Sequence, residues 1–159
     1  MDVAVPIFIG TLELQSILIA KEGLTFSRPM THDLFLDMLS RVNLSIRKVI
    51  VSEIKDDTFH ARLVVTGGEY TNENPLILDS RPSDAFAIAV RKKCPIFLSA
   101  SVIEQTGIPI DYFISELEEN INDKYESLRE RLERAIAEEE YEQAAEIRDM
   151  IRKLENEMN

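Results

Sequence analysis

Two short segments gather the residues best suited to phosphate chemistry: Arg28-Pro29-Met30-Thr31-His32-Asp33 and Asp79-Ser80-Arg81-Pro82-Ser83-Asp84. Each Arg-Pro step leads toward an expected helix, and a helix start offers free backbone N–H groups and partial positive charge to an anion. Arg28, Thr31, Ser80, Arg81 and Ser83 are therefore the expected phosphate-binding residues, the arginines through bidentate contacts. His32 is the candidate general base. Asp33, Asp79 and Asp84 complete the expected catalytic set, with Asp79 and Asp84 as oxygen ligands for Mg²⁺ or Mn²⁺. Carboxylates for a metal, a base and a phosphate cradle are what phosphodiester hydrolysis requires.

Each of these residues also has a purely structural reading. Acids are common in first helical turns because they offset the helix dipole, which accounts for Asp33 and Asp84 without chemistry. Thr31, Ser80 and Ser83 suit caps, and the arginines suit pairing with the aspartates. His60 shares a strand face with Thr58, Arg62 and Val64, which reads as a solvated sheet face. Cys94 lies between two lysines and Pro95 and reads as an incidental thiol. No glycine-rich nucleotide fingerprint, G-x-S-x-G elbow or zinc spacing is present.

These residues need a scaffold, and the body of the chain alternates strands and helices. Val3–Ile9 is expected as a strand, followed by a helix from Gly10-Thr11 to about Glu22 that Gly23 ends. Thr31 is the expected N-cap of a helix to about Arg41. Residues 44–54 and 58–66 read as a hairpin turning at Lys55-Asp56-Asp57, and residues 76–79 as another strand. Pro82 opens a helix ending near Lys92-Lys93, Ile96–Leu98 is a strand, and Ser99 caps a short helix closed by Gly107. Hairpins mixed with helices make the class α+β.

Composition divides the chain. Residues 1–114 carry 14 acidic and 11 basic side chains, whereas residues 115–159 carry 15 and 7. All Gly and Pro residues lie at or before Pro109. The expected boundary is near Tyr112–Ser115, giving domains 1–114 and 115–159. In the second, Leu117, Ile121, Tyr125, Leu128, Leu132 and Ile136 form one helical stripe, and Ala144, Ile147, Ile151, Leu154 and Met158 another. An antiparallel helical hairpin is expected, with one long helix or a tail folded onto the body as the alternatives. Ile147, Ile151 and Leu154 are the expected partner-binding residues.

Bulk properties narrow the class further. A pI near 4.7 and a net charge of −11 argue against holding nucleic acid by overall positive charge. The single cysteine fits a reducing compartment, and the apolar stretches are too short to cross a bilayer. The opening residues lack the basic run of a secretory leader, so a cytoplasmic protein without membrane contact is expected.

Val5-Pro6-Ile7-Phe8-Ile9-Gly10, Arg28-Pro29-Met30-Thr31-His32-Asp33-Leu34 and Asp79-Ser80-Arg81-Pro82-Ser83-Asp84-Ala85 together resemble the bifunctional nuclease domain family. Glu13, Lys55-Asp56-Asp57-Thr58-Phe59 and Cys94-Pro95-Ile96-Phe97 fit the same pattern over about Val3–Ser101. The resemblance implies an α+β fold with a mixed, barrel-like sheet and flanking helices, a homodimer, and hydrolysis of both DNA and RNA. The family usually carries a pair of strands ahead of the Pro-Ile-Phe-Ile-Gly segment, so the sheet is expected to be short by a hairpin. His60 stands where an aromatic is usual, and no catalytic role is carried onto it.

Tyr141-Glu142-Gln143-Ala144-Ala145-Glu146-Ile147-Arg148-Asp149-Met150-Ile151, with Leu154 following, resembles the UVR motif of excinuclease subunits B and C. That motif is a helical hairpin that pairs with another copy of itself, which implies contact with a UVR-bearing or other protein. A nuclease with an interaction hairpin is the leading expectation. A non-enzymatic oligomeric adaptor recruiting a repair or protease partner is the alternative.

Overall fold

The computed structural model describes residues 2–158, with side chains as far as Glu155. In chain order the elements are β1 (Val3–Ala4), α1 (Thr11–Lys21), α2 (Thr31–Arg41), β2 (Ser45–Lys55), β3 (Thr58–Thr66), β4 (Leu76–Ser80), α3 (Pro82–Lys92), β5 (Ile96–Leu98), α4 (Ala100–Thr106), β6 (Ile108–Pro109), α5 (Ile110–Ala137) and α6 (Tyr141–Met158). They fall into two compact units: residues 5–107, and residues 2–4 with 108–158.

The first unit is a mixed four-stranded sheet, ordered β4-β3-β2-β5, with helices packed on it. β2, β3 and β4 run antiparallel, and β5 is parallel to β2. The β2–β3 turn works because Asp56 and Asp57 both take positive φ, 49° and 57°, which matches the twist of the flanking strands. Alternation along β3 sends Ala61, Leu63 and Val65 to one face, where α3 lays Ala85, Ile88 and Ala89 across them. The alanines let the helix approach closely, and Leu39 of α2 with Ile46 and Val49 of β2 closes the core. Each fully buried Val, Leu or Ile contributes about 1.5–3 kcal/mol by leaving water.

The α+β class and mixed sheet agree with expectation, but the sheet is open and not closed into a barrel. Four strands, one only three residues long, are too few to wrap round, and β1 pairs with β6 in a separate two-stranded sheet. The strand expected over Val3–Ile9 is only Val3–Ala4, since Pro6 lacks the N–H a ladder needs. Met30, not Thr31, is the N-cap of α2, and Asp33 Oδ2 accepts from its backbone N–H at 3.0 Å. Arg81 is the N-cap of α3 and Pro82 its first residue. Ser99 caps α4 by accepting the Val102 N–H at 3.3 Å.

In the second unit α5 begins at Ile110, directly after the last proline, so the residues Tyr112–Ser115 lie within its first turns. Glu138–Glu140 turn the chain, with Glu139 at φ 59°, and α6 returns antiparallel to α5. Leu128 and Ala135 of α5 meet Ala144, Ile147, Ile151 and Leu154 of α6, with Ile121, Tyr125 and Leu132 at the margin. Ile147, Ile151 and Leu154, expected as partner-binding residues, are buried in the hairpin's own core. Two amphipathic helices joined by a short turn bury their stripes against each other first. Exposed apolar side chains of the hairpin instead include Tyr112, Ile114 and Leu117 near the start of α5, and Ile136, Tyr141 and Met150 near the turn and along α6. Met158, the last of the expected stripe, lies outside the described side chains.

Candidate functional site

Arg81 stands at the centre of the polar cluster in the first unit. Its Nε is 2.9 Å from Asp84 Oδ2 and a terminal nitrogen is 3.3 Å from Asp84 Oδ1, a bidentate pair one helical turn apart. Another terminal nitrogen lies 3.4 Å from Glu13 Oε1, tying the start of α3 to α1. Behind Asp84, His32 Nε2 is 3.3 Å from Oδ1, and His32 Nδ1 is 3.1 Å from the Ser16 hydroxyl. Ser16 is buried inside α1.

The partners assign the protons. The Arg81 guanidinium holds the Asp84 carboxyl below its ordinary range, and His32 adds to this. An ionised Asp84 only accepts, so His32 Nε2 carries a hydrogen and donates it. Both ring nitrogens are engaged, Nε2 by Asp84 and Nδ1 by the Ser16 hydroxyl. The carboxylate pair raises the Arg81 pKa further, so that side chain is charged throughout.

A cleft of about 350 Å³ opens beside this cluster. Gly10 and Glu13 line it from the start of α1, Arg81 and Ser83 from the start of α3, and Thr58 and Phe59 from the β2–β3 hairpin. Two helix N-termini and a guanidinium, which favour an anion, thus face one space together with the carboxylates of Glu13 and Asp57. Phe8, almost fully exposed, forms part of its rim.

The other candidates are dispersed. Asp33 gives one oxygen to the Met30 N–H and the other, at 2.9 Å, to Arg91, whose side chain is 7% exposed. Arg91 also donates to the carbonyls of Ser16 and Ala87, locking α1, α2 and α3 together. Asp79 lies on the sheet face opposite α3, 83% exposed and 3.9 Å from His60 Nδ1. Arg28 is exposed beside a separate concavity with Phe26 and Asp33. Thr31 is exposed in the first turn of α2, and the Ser80 hydroxyl donates to the Arg81 carbonyl at 3.1 Å.

Asp79 and Asp84 therefore do not converge, and both oxygens of Asp84 are already engaged. Among the described residues no group of three or more His, Cys, Asp or Glu side chains is placed to hold an ion. The Asp79 and Asp84 carboxylates, on opposite sides of the sheet, do not fit a bound Mg²⁺ or Mn²⁺. Sequence reasoning overlooked Ser16, Glu13 as a site residue, and Arg91. Glu13, Ser16 and Ala20, spaced by three and four, share one face of α1, and a serine on such a face is the available signal.

The first unit is thus an α+β domain that turns two helix starts and an arginine toward one cleft. The bifunctional nuclease domain model matches residues 2–111, and the chain belongs to that family. Residues 123–157 match the UvrB/uvrC motif. An uncharacterised protein of Mycobacterium tuberculosis is 32% identical over 109 residues, 69% of this chain and 62% of the relative. The chain thus spans about three fifths of that relative's length. Bifunctional nuclease 1 of Oryza sativa subsp. japonica is 28% identical over 111 residues, 69% of this chain and 33% of the rice protein. Bifunctional nuclease 2 of the same plant is 30% identical over 100 residues, 61% and 30% of the two chains. No helix among the described residues is long and apolar enough to cross a membrane.

Proposed function

We propose that this protein hydrolyses phosphodiester bonds of DNA and RNA, with the substrate phosphate held in the Arg81 cleft. The observation that carries the reading is the convergence of Arg81 with the N-termini of α1 and α3 on one space. A phosphate there would draw Arg81 from Glu13, the weaker of its two carboxylate contacts, and gain the free N–H groups of the first helical turns. Glu13, released at the cleft wall, is then the carboxylate best placed to take a proton from the attacking water. Asp84, tied down by Arg81 and His32, positions the arginine instead.

The test is cleavage of labelled single-stranded DNA and RNA by highly purified protein, with Mg²⁺, Mn²⁺ or EDTA, beside the Arg81→Ala and Glu13→Gln variants. Cutting by the wild type that both folded variants lose supports the reading. Equal cutting by all three points to a contaminant, and no cutting by folded wild type overturns it. The EDTA arm tests whether a divalent ion assists cleavage at all.

The second reading, a recruiting adaptor, is favoured by the UvrB/uvrC motif match and by the exposed Ile136, Tyr141 and Met150. A Met150→Glu variant that loses a hairpin-bearing partner yet cuts normally separates the two. A cytoplasmic homodimer belongs to the same proposal. Leu34, Met38 and Val42, spaced by four along and just past α2, are exposed apolar residues suited to a subunit contact. Light scattering of the full chain measures it.

A further inference from the structure

The sheet face opposite α3 carries a second polar groove, of about 490 Å³, distinct from the Arg81 cleft. Arg47, Lys48, Thr66, Asn72 and Phe97 line it, and none of its lining residues is acidic. This is unusual in a chain of net charge −11. Adjacent residues of a regular strand point to opposite faces, so Arg47 and Lys48 would not ordinarily serve one groove. The register of β2 against β3 shifts between Ile46 and Lys48, which face Val65 and Val64 respectively. Arg47 is the extra residue of that bulge, and the bulge lets both cations border the same space. The Lys48 ammonium sits 5.4 Å from the centroid of the Phe97 ring, and Phe97 remains 50% exposed.

A half-exposed aromatic flanked by two cations matches the chemistry of a nucleobase with its phosphates: the ring stacks, and the cations neutralise. An acidic peptide would use the cations but leave the flat ring without a counterpart. The position of the groove strengthens the match. Thr58, at the wall of the Arg81 cleft, and Val64, at this groove, lie on the same face of β3. They are six steps apart, roughly 20 Å along the strand. Between them stand His60, 3.9 Å from Asp79, and Arg62, paired with Glu53 at 2.9 Å. The face between the two sites is thus charge-balanced, and the uncompensated cations are at its far end.

We propose that Phe97, Lys48 and Arg47 form a stacking subsite for single-stranded nucleic acid, binding the strand at a distance from the phosphate in the Arg81 cleft. The inference rests on the nuclease reading for its substrate class. The subsite holds the strand and takes no part in bond cleavage, so it acts on affinity for long substrates only.

The test is fluorescence anisotropy of the full chain with a labelled, non-hydrolysable phosphorothioate oligonucleotide long enough to reach both sites, and with a dinucleotide. Phe97→Ala is expected to weaken the long strand roughly tenfold and leave the dinucleotide unchanged, and Phe97→Tyr to restore it. The Arg47→Gln/Lys48→Gln protein is expected to show a salt dependence shallower by about 0.7 for each phosphate it no longer neutralises. Where Phe97→Ala melts early, the Tyr and double-Gln proteins carry the test. A long-strand affinity within twofold of wild type in the double-Gln protein, or in a folded Phe97→Ala protein, overturns the inference. So does an equal loss for the dinucleotide, a wild type that binds no strand, or a glutamate-rich peptide that binds as tightly and loses affinity in the same variants. Absence of cutting with this binding pattern intact would overturn the nuclease reading and leave the subsite standing.

Discussion

His32 Nε2 and Asp84 Oδ1 lie 3.3 Å apart although 52 residues separate them in the chain. The contact joins the starts of α2 and α3, and it extends on both sides, through Asp84 to Arg81 and through His32 to Ser16. The result is a relay of buried-to-exposed polar groups ending at the cleft. Both nitrogens of the histidine that looks like a base by type are engaged within this relay.

Acid should weaken this relay in a defined direction. The Asp84 carboxyl is held below its ordinary range in the folded protein, so its contribution to stability is complete above the unfolded pKa. That contribution is lost as pH falls through the lowered value. Urea unfolding of wild type and Asp84→Asn should therefore differ most above the ordinary carboxylate range, and the gap should narrow as pH falls through and below that range. A gap that stays constant across this range would contradict the assignment.

Ser16→Ala removes the hydroxyl that His32 Nδ1 meets at 3.1 Å and leaves that half-buried nitrogen without its partner. The expected loss is about 1–3 kcal/mol in urea denaturation. A loss below about 0.5 kcal/mol would show that water replaces the hydroxyl.

Arg91→Met keeps the aliphatic bulk while breaking the hydrogen bonds to Asp33 and to the Ser16 and Ala87 carbonyls. About 2–3 kcal/mol should be lost, since hydrogen bonds to a charged group are among the stronger ones. Chemical denaturation measures it, and a cost below about 0.5 kcal/mol would show that solvent replaces these bonds.

Gly67 has φ 124°, and a Cβ there would collide with the Asn43 carbonyl oxygen. Gly67→Ala should cost about 1–3 kcal/mol, whereas Gly23→Ala, with open space around it, should cost about 1 kcal/mol or less from its φ alone. Thermal melts of the two proteins give the comparison directly.

Ile151→Ala hollows the core between α5 and α6 and should cost that unit about 2–4 kcal/mol, seen as early loss of helical circular dichroism. Met150→Ala, one residue away on the exposed side, should leave the melt unchanged within about 0.5 kcal/mol. Equal effects would mean that the helix faces are misassigned.

Local chemistry made much of this protein legible in advance. The hairpin over residues 45–66 follows from β-branched runs on either side of Asp56-Asp57, and α3 follows from Arg81-Pro82 at its start and its lysines at the end. The helical hairpin follows from stripes spaced by three and four with no proline to interrupt them. What misled was context beyond the local window. Pro6 reads as a minor blemish in an apolar run, yet the missing N–H leaves β1 only two residues long.

The site divides in the same way. Residue types and helix starts single out Arg81, Asp84 and His32 from sequence, because caps and dipoles act within one turn. Which of the acids joins them is decided only by how α1, α2 and α3 pack. Asp33 turns to a buried arginine, Asp79 to the far face of the sheet, and Glu13 and Ser16 come in from a helix whose local signal is a serine on the face of Glu13 and Ala20. Those pairings span up to 68 residues and depend on angles between packed elements. Periodicity along the chain carries no record of such angles, so only the folded structure could decide them.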